Sequence, residues 1–152
     1  MKSTLSRIHT ILIGLFAFAA MSSCNKSDDE VTPEEIKTAI ALVNIEEGQT
    51  FTLEEESTII TDVSISEDGQ FYSANLTAVN IETGETIVTD LLGPIPEMVN
   101  GGFKTQMIAT ISFSSPGDYQ IFASLKYEEN GLATKLASEA VDVNAAALIP
   151  VE

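Results

Sequence analysis

The sequence predicts an all-β protein, an antiparallel β-sandwich of about seven strands, behind a secretory signal and a short disordered stalk. Short runs of alternating apolar and polar residues recur along residues 36–144, and turn residues separate them. A span of about 110 residues is the usual size of a sandwich domain. The chain has a single cysteine. An internal disulfide is therefore excluded, and packing alone must hold the core.

The elements begin with residues 1–23, which are typical of a signal peptide. Lys2 and Arg7 precede the apolar run ILIGLFAFAA. That run is too short to span a membrane, which takes about 20 apolar residues. The segment therefore predicts export.

Two cleavage sites compete behind the apolar run. Met21-Ser22-Ser23-Cys24 resembles a lipobox, the signal in bacterial lipoproteins whose cysteine receives a diacylglycerol thioether and becomes the mature N-terminus. Met21 stands where leucine is usual, and Ser23 where glycine or alanine is commoner. Ala17-Phe18-Ala19 fits ordinary signal peptidase instead, which leaves Cys24 as a free thiol. The resemblance implies lipidation of Cys24 and membrane attachment through acyl chains, each buried methylene contributing about 0.8 kcal/mol.

Residues 24–35 form the predicted stalk. Asn25-Lys26-Ser27-Asp28-Asp29-Glu30 is similar to the export signal that surface lipoproteins of the Bacteroidota carry behind their cysteine. That resemblance implies a location on the outer membrane, facing the cell exterior. The alternative is a solvated acidic linker, because runs of like charge repel one another and stay disordered.

Alternation and turn residues define the first four strands. The first begins near Thr38 and ends at Glu46-Glu47-Gly48, although a helix opening at Thr32-Pro33 is the alternative. The second holds Ile59, Val63 and Ile65, and we expect a hairpin turn at Glu67-Asp68-Gly69. The remaining two are an alternating strand with Tyr72, Ala74, Leu76 and Ala78, and then, after the turn Glu82-Thr83-Gly84-Glu85, TIVTDLL.

A connection rich in proline and glycine, GPIPEMVNGG, follows, and we expect it to cross between the sheets. The last three strands have the clearest patterns. The inward positions are Met107, Ala109, Ile111 and Phe113 on one strand, and Tyr119, Ile121, Ala123, Leu125 and Tyr127 on the next. Asn130-Gly131, the strongest hairpin dipeptide, leads into LATKLASEAVDV. Residues 145–152 are a predicted tail.

A family resemblance lies in residues 114–143, SSPGDYQIFASLKYEENGLATKLASEAVDV. This stretch resembles the terminal hairpin of immunoglobulin-like and fibronectin-like domains, and residues 57–79 are also similar. The resemblance implies that Tyr119 forms a structural tyrosine corner and that Ile121 stands where antibody domains place their second cysteine. It implies a fold and no activity, because sandwiches host many unrelated functions.

Composition excludes most chemistry. Without residues 1–23 the chain keeps 5 lysines and no arginine against 23 acids, a formal charge of −18, which excludes nucleic acid as a partner. The only histidine, His9, lies in the signal peptide. The Ser-His, Cys-His and zinc sites of many enzymes therefore cannot form. We expect no enzymatic activity, no cofactor and no metal site.

Three weaker candidate sites remain. Phe71, Tyr72 and Phe122 are candidate ligand contacts that could stack against a sugar. Asp62 and Asp90 are a conceivable carboxylate pair for glycoside hydrolysis. Acids near predicted strand ends are conceivable calcium ligands, although random proximity is expected on so acidic a surface: Asp62, Glu67, Asp68, Asp90, Asp118 and Asp142.

The sequence therefore supports two hypotheses about function. The first is a non-enzymatic, lipid-anchored binding or assembly module for another envelope protein, gripping through an exposed sheet edge such as the last strand, with Lys135 and Glu139. The second is an accessory glycan-binding lipoprotein of an outer-membrane nutrient-uptake system.

Overall fold

The computed structural model describes residues 35–95 and 102–148. The described part of the chain consists of nine β-strands and connecting turns. Nothing in these two ranges is a helix of the length and apolarity needed to cross a membrane. The strands are β1 (Ala39–Leu42), β2 (Thr50–Thr52), β3 (Ser57–Ile65), β4 (Gly69–Asn80), β5 (Thr86–Asp90), β6 (Phe103–Ile111), β7 (Gly117–Glu129), β8 (Leu132–Ala137) and β9 (Val141–Ala146).

The strands form two sheets. One has three strands in the order β1-β3-β6. The other has six, in the order β2-β9-β7-β4-β5, with β8 also paired to β7. Every strand pair is antiparallel except β2 with β9. This distribution of strands over two sheets is that of an immunoglobulin-like β-sandwich, the predicted fold class.

The core lies between the inner faces of the two sheets. Alternation along β3, β6 and β7 turns every second side chain inward, as the sequence predicts for a sheet buried on one face. The predicted inward residues of β6 and β7 are all buried, and Ile121, Ala123 and Leu125 are fully so. Exposed Ile108, 48% accessible between Met107 and Ala109, shows how cleanly the two faces separate.

An aromatic cluster closes one end of the core. The ring centroids of Phe51 and Phe113 are 5.3 Å apart, and those of Phe113 and Tyr119 are 4.7 Å apart. The Tyr119 hydroxyl donates a hydrogen bond to the Ser115 carbonyl oxygen at 3.0 Å. This is the geometry of a tyrosine corner, and it ties the β6–β7 connection to the core.

Two of the nine strands were not foreseen. The short strand β2 has only three residues and brings Phe51 into the core, and so short a run carries no alternation that a sequence pattern can detect. The predicted last strand is two strands, because Ser138-Glu139-Ala140 interrupts it between β8 and β9. At the break Ser138 Oγ accepts a hydrogen bond from the Ala123 amide at 3.0 Å. Glu139 therefore lies outside the strands.

The predicted hairpin at Glu67-Asp68-Gly69 is wrong. The chain does turn tightly there, since the Gly69 amide donates to the Ser66 carbonyl at 3.0 Å. The two strands it joins, however, belong to different sheets. Gly102 packs against this turn, where an added Cβ would come within 2.1 Å of the Ile65 carbonyl oxygen. The turn is an arch across the sandwich, and its close packing requires glycine.

The chain crosses between the sheets after β5, but it does so at Leu91 and Leu92, before the connection GPIPEMVNGG in which the crossing was predicted. The Leu91 amide donates to the Ala74 carbonyl in the six-stranded sheet at 2.9 Å. The Leu92 amide donates to the Ile108 carbonyl in the three-stranded sheet at 2.8 Å. One residue step therefore moves the chain from one sheet to the other.

Two boundaries also differ from prediction. A β-bulge between Phe71 and Ser73 shifts the register of β4 against β7, so Tyr72 leaves the inward phase that Ala74, Leu76 and Ala78 keep. The domain was expected to end at residue 144, but β9 continues to Ala146 and Ala145 is buried. The bulge adds a residue to β4, and a strict two-residue alternation in the sequence cannot predict it.

Candidate functional site

The three predicted aromatic contacts do not share one surface. Phe71 is partly buried and packs against the core. Tyr72, at the bulge, is 50% exposed. Phe122 is half-buried and lies four residues along β7 from Lys126, which pairs with Ser73, the neighbour of Tyr72. Phe122 is therefore about 13 Å along the strand from the position of Tyr72, and a single sugar ring cannot stack on all three side chains.

Tyr72 has a specific partner. Its hydroxyl donates a hydrogen bond to the Glu128 carboxylate. This hydrogen bond, with smaller contributions from desolvation and from the charge of the same carboxylate, raises the pKa of Tyr72 above its ordinary value. The bulge residue is therefore held across β4 and β7 as a neutral phenol.

The carboxylate pair proposed for glycoside hydrolysis does not form. Asp62 lies on β3 and accepts a hydrogen bond from Gln106 Nε2 at 2.9 Å, on the outer face of the three-stranded sheet. Asp90 lies on β5 and accepts one from Asn75 Nδ2 at 2.6 Å, on the outer face of the other sheet. Packed sheets are about 10 Å apart, and glycosidase carboxyl groups lie within about 10 Å of each other. Their opposite faces therefore rule out this pairing.

The candidate calcium ligands are likewise dispersed. Asp118 accepts a hydrogen bond from Asn144 Nδ2 at 2.8 Å, and Asp142 accepts one from Gln120 Nε2 at 3.1 Å. Within residues 35–95 and 102–148 no three acidic, histidine or cysteine side chains converge in a way that could hold a metal ion. Asp118 and Asp142 are each bound instead to a side-chain amide on the same sheet.

A feature that sequence reasoning missed is a pair of lysines, Lys126 and Lys135, here called the lysine pair. They lie directly opposite each other across β7 and β8, and both are exposed on the outer face of the six-stranded sheet. The signal was present in the sequence: a two-residue hairpin at Asn130-Gly131 places Glu129 opposite Leu132, and counting outward pairs 126 with 135. Asn130 and Gly131 have φ angles of 52° and 77°, as that turn requires.

The strand β8 is an open sheet edge. Its residues are exposed except Leu136, which is partly buried against the core. On its far side no strand pairs with it among the described residues. β9, by contrast, is covered there: the Gly48 amide donates to the Asp142 carbonyl at 2.8 Å, and β2 pairs with residues 144–146.

A shallow groove of about 490 Å³ lies on the outer face of the three-stranded sheet. Ala39 and Ala41 line it together with Lys104, Asp62 and Gln106. Asp62 and Gln106 already hydrogen-bond to each other. The groove is open to solvent, and its polar groups do not converge on a point where a reacting atom would sit.

Comparison with known proteins adds little to this geometry. No protein-family model matches the chain, and no curated protein does either. A CARDB domain from Pyrococcus furiosus, solved in complex with di-metal ions, is similar in structure with a TM-score of 0.41 and 12% identity, covering 74% of this chain and 90% of that one. PapD-like domain 7 of human CEP192 has a TM-score of 0.38 and 12% identity, with 75% and 88% covered.

A family 123 glycoside hydrolase from Clostridium perfringens has a TM-score of 0.39 and 12% identity, covering 76% of this chain and 28% of that one. Scores this low carry no weight for function. The immunoglobulin-like fold is assigned from the strand order described above.

Some site predictions concern other parts of the chain. Cys24, the signal peptide and all of the stalk except Glu35 lie outside the described residues. Residues 149–152 of the predicted tail do as well. These remain predictions from the sequence.

Proposed function

We propose that this protein is a lipid-anchored binding module of the bacterial outer membrane, without enzymatic activity, that faces the cell exterior and grips another envelope protein. The N-terminus supports the anchor, because Met21-Ser22-Ser23-Cys24 resembles a lipobox and the acidic residues after it resemble the surface-export signal of Bacteroidota lipoproteins. In this proposal the acyl chains on Cys24 hold the protein at the membrane, and the β-sandwich binds the partner protein.

The observation that carries the binding role is the open edge of β8. Exposed edge strands present unpaired backbone groups, and natural proteins normally cover them. Here the chain covers the β9 part of the same edge with Gly48–Leu53 and leaves β8 uncovered among the described residues. Strand addition at such an edge is a common mode of peptide recognition.

The anchor is tested by expressing the full chain in a Gram-negative host with labelled palmitate. We expect label and membrane sedimentation for the natural sequence, and neither for Cys24→Ala. Mass spectrometry that finds an unacylated mature N-terminus, or protein free in the aqueous fraction, contradicts the proposal. Protease treatment of intact cells then separates the exterior from the periplasmic leaflet.

Binding of a partner protein at the β8 edge is tested by placing a photo-crosslinking amino acid at Thr134. We expect one membrane protein to be captured there and none from Thr110, an exposed position on the other sheet. Equal capture from both positions contradicts binding at the edge. Turnover of any common hydrolase substrate by the purified protein contradicts the absence of enzymatic activity.

The second candidate, glycan binding, has one observation in its favour. Phe122 lies on the outer face of the six-stranded sheet in a row with Thr77 and Val88, and Val88 is 61% exposed. A partly exposed aromatic ring offers a flat apolar face on which a sugar can stack. Binding to a polysaccharide array that weakens about tenfold in Phe122→Ala, but not in the matched surface variant Ile108→Ala, supports this alternative.

A further inference from the structure

We propose that the occupant of the open edge is an extended acidic segment of another protein, in which acidic and apolar residues alternate. This inference rests on the proposed binding function and names the chemistry of its partner. Three features of β8 carry it: backbone groups that pair with no strand among the described residues, the lysine pair, and the apolar side chains on its other face.

The first step concerns the backbone. In a two-residue hairpin the Leu132 amide faces Glu129, and amide direction alternates from there along the strand. The amides of Ala133, Lys135 and Ala137 therefore face away from β7. An added strand can accept hydrogen bonds from all three.

The second step concerns charge. The described residues hold 4 lysines and 17 acids, and no lysine forms a salt bridge with any of those acids. Two of the four lysines form the lysine pair, while β8 itself contains no acid. Glu128 lies two residues from Lys126 along β7 on the same face, and its carboxylate accepts the Tyr72 hydrogen bond. An anionic segment is repelled by the rest of this surface and attracted here, within a screening length of about 8 Å.

The third step concerns register. Like charges directly opposite each other on neighbouring strands are destabilising. An acidic residue opposite Lys135 on an added strand offsets the repulsion between the two lysines. Lys135 then lies between Lys126 and the acidic residue in one row across three strands. The residues on either side of it in the added strand then face Thr134 and Leu136, on the face where Leu136 packs against the core. Alternation of acidic and apolar residues satisfies both faces at once.

A second copy of the chain fits less well. Two-fold antiparallel pairing of β8 with itself preserves the faces of the sheet, so Lys135 comes opposite or diagonal to Lys135 of the second copy. Four lysines then share one row or two adjacent rows. This electrostatic conflict favours an acidic partner over self-pairing.

The test uses the full lipidated chain in detergent micelles and a fluorescent peptide, Val-Asp-Val-Asp-Val-Thr. Fluorescence anisotropy should report binding that Lys135→Glu and Lys126→Glu each weaken about tenfold, with further weakening at high salt. Lys104→Glu makes the same charge change on the other sheet, and should weaken binding less than about twofold. Equal effects of Lys135→Glu and Lys104→Glu overturn the inference.

The strand-addition geometry has separate tests. Ala133→Pro removes one outward amide while keeping both lysines, so the added strand loses a backbone hydrogen bond and binding should be abolished. The pairing of β8 with β7 should remain, because proline is tolerated on an edge strand where the missing amide faces away from the sheet. If that variant melts at lower temperature, a peptide methylated on alternate amides provides the same test from the ligand side. Hydrogen exchange should show protection of Ala133, Lys135 and Ala137 on binding.

Other occupants give different results, and each would overturn the proposal. Dimers that disappear with Ala133→Pro assign the edge to a second copy. Outward amides already protected in the free monomer, and exposed when Asp28 and Asp29 are changed to asparagine, assign it to the chain's own acidic segment. If Thr134 still crosslinks to a membrane protein but the acidic peptide binds no better than its lysine counterpart, the proposed binding function stands and the proposed acidic partner is refuted.

Discussion

At the scale of single residues, buried polar groups decide where stability is gained or lost. Asn80 is almost wholly buried, but its Oδ1 accepts hydrogen bonds from the amides of Glu82 and Thr83 and so orders the β4–β5 turn. Thr61 is fully buried, and its hydroxyl has no hydrogen-bond partner among the described residues. A buried hydroxyl without a partner is costly, whereas one that forms a hydrogen bond contributes about 1 kcal/mol to stability.

Thr61→Val should therefore stabilise the protein. Valine has the same shape and removes the unpaired hydroxyl, so we expect the free energy of unfolding to rise by about 1 kcal/mol. Urea denaturation measures it, and Thr58→Val, exposed on the same strand, is the matched control. A lower urea midpoint for Thr61→Val would show that the hydroxyl is satisfied.

Tyr119→Phe should destabilise it. The change removes the hydrogen bond to the Ser115 carbonyl but keeps the ring against Phe113, so a loss of about 1 kcal/mol is expected. Tyr127→Phe is the control, because that buried tyrosine makes no side-chain hydrogen bond within the described residues. Equal losses in both variants would contradict a special role for the corner.

Glu128→Gln should lower the pKa of Tyr72 toward its ordinary value. Ionising the phenol next to a carboxylate loses the hydrogen bond and adds a like charge, which is why the natural pKa is raised. The contact accordingly contributes stability below the ordinary tyrosine pKa, and this is lost as the pH rises through the raised value. Carbon NMR of the three tyrosine rings follows the titration, and an unchanged Tyr72 curve in the variant would refute this origin.

At the scale of elements, glycines permit the close approaches that join the two sheets. Gly102 has a φ of 90° and packs against the β3–β4 arch. Gly84 has a similar φ of 73°, but a Cβ there would meet nothing within 4 Å. Substitutions at Gly84 therefore report the cost of a positive φ alone, and substitutions at Gly102 report that cost together with the clash against the arch.

Gly102→Ala should cost about 3 kcal/mol of stability, and Gly84→Ala about 1 kcal/mol. Both incur the penalty of a side chain at positive φ, while only the first forces a methyl group into the Ile65 carbonyl oxygen. Thermal and urea unfolding measure the difference. Similar losses in the two variants would mean that the arch can move away from the methyl group.

At the scale of the whole molecule, charge opposes compactness. The described residues carry 17 acids and 4 lysines, and no salt bridge joins these groups. A large net charge destabilises the folded state through self-repulsion. The stability of this domain therefore depends on its apolar core, with no compensation from ion pairs in the part of the chain described.

Added sodium chloride should therefore raise the urea midpoint. Screening shortens the range of repulsion from about 10 Å at 0.1 M salt to about 3 Å at 1 M. Glu55→Gln and Glu56→Gln, in the exposed acidic turn before β3, should each raise the midpoint at low salt and have less effect at high salt. A midpoint independent of salt would contradict repulsion as a significant term.

Local patterns in the sequence are enough to predict the fold class, the inward faces of β3, β6 and β7, and the Asn130-Gly131 hairpin with its register. All of these depend on local information: apolar alternation reports which face is buried, and a two-residue turn sets which residues lie opposite each other. Within the candidate site, the same hairpin register places Lys126 opposite Lys135.

Which sheet each strand joins depends on contacts between residues far apart in the chain. Alternation is the same whether a strand pairs with its sequence neighbour or with a distant one, so the arch at Glu67-Asp68-Gly69 was read as a hairpin. The bulge at Tyr72 and the break at Ser138 depend on docking against β7. Contacts far apart in the chain also cover β9 with Gly48–Leu53, whereas among the described residues no strand covers β8.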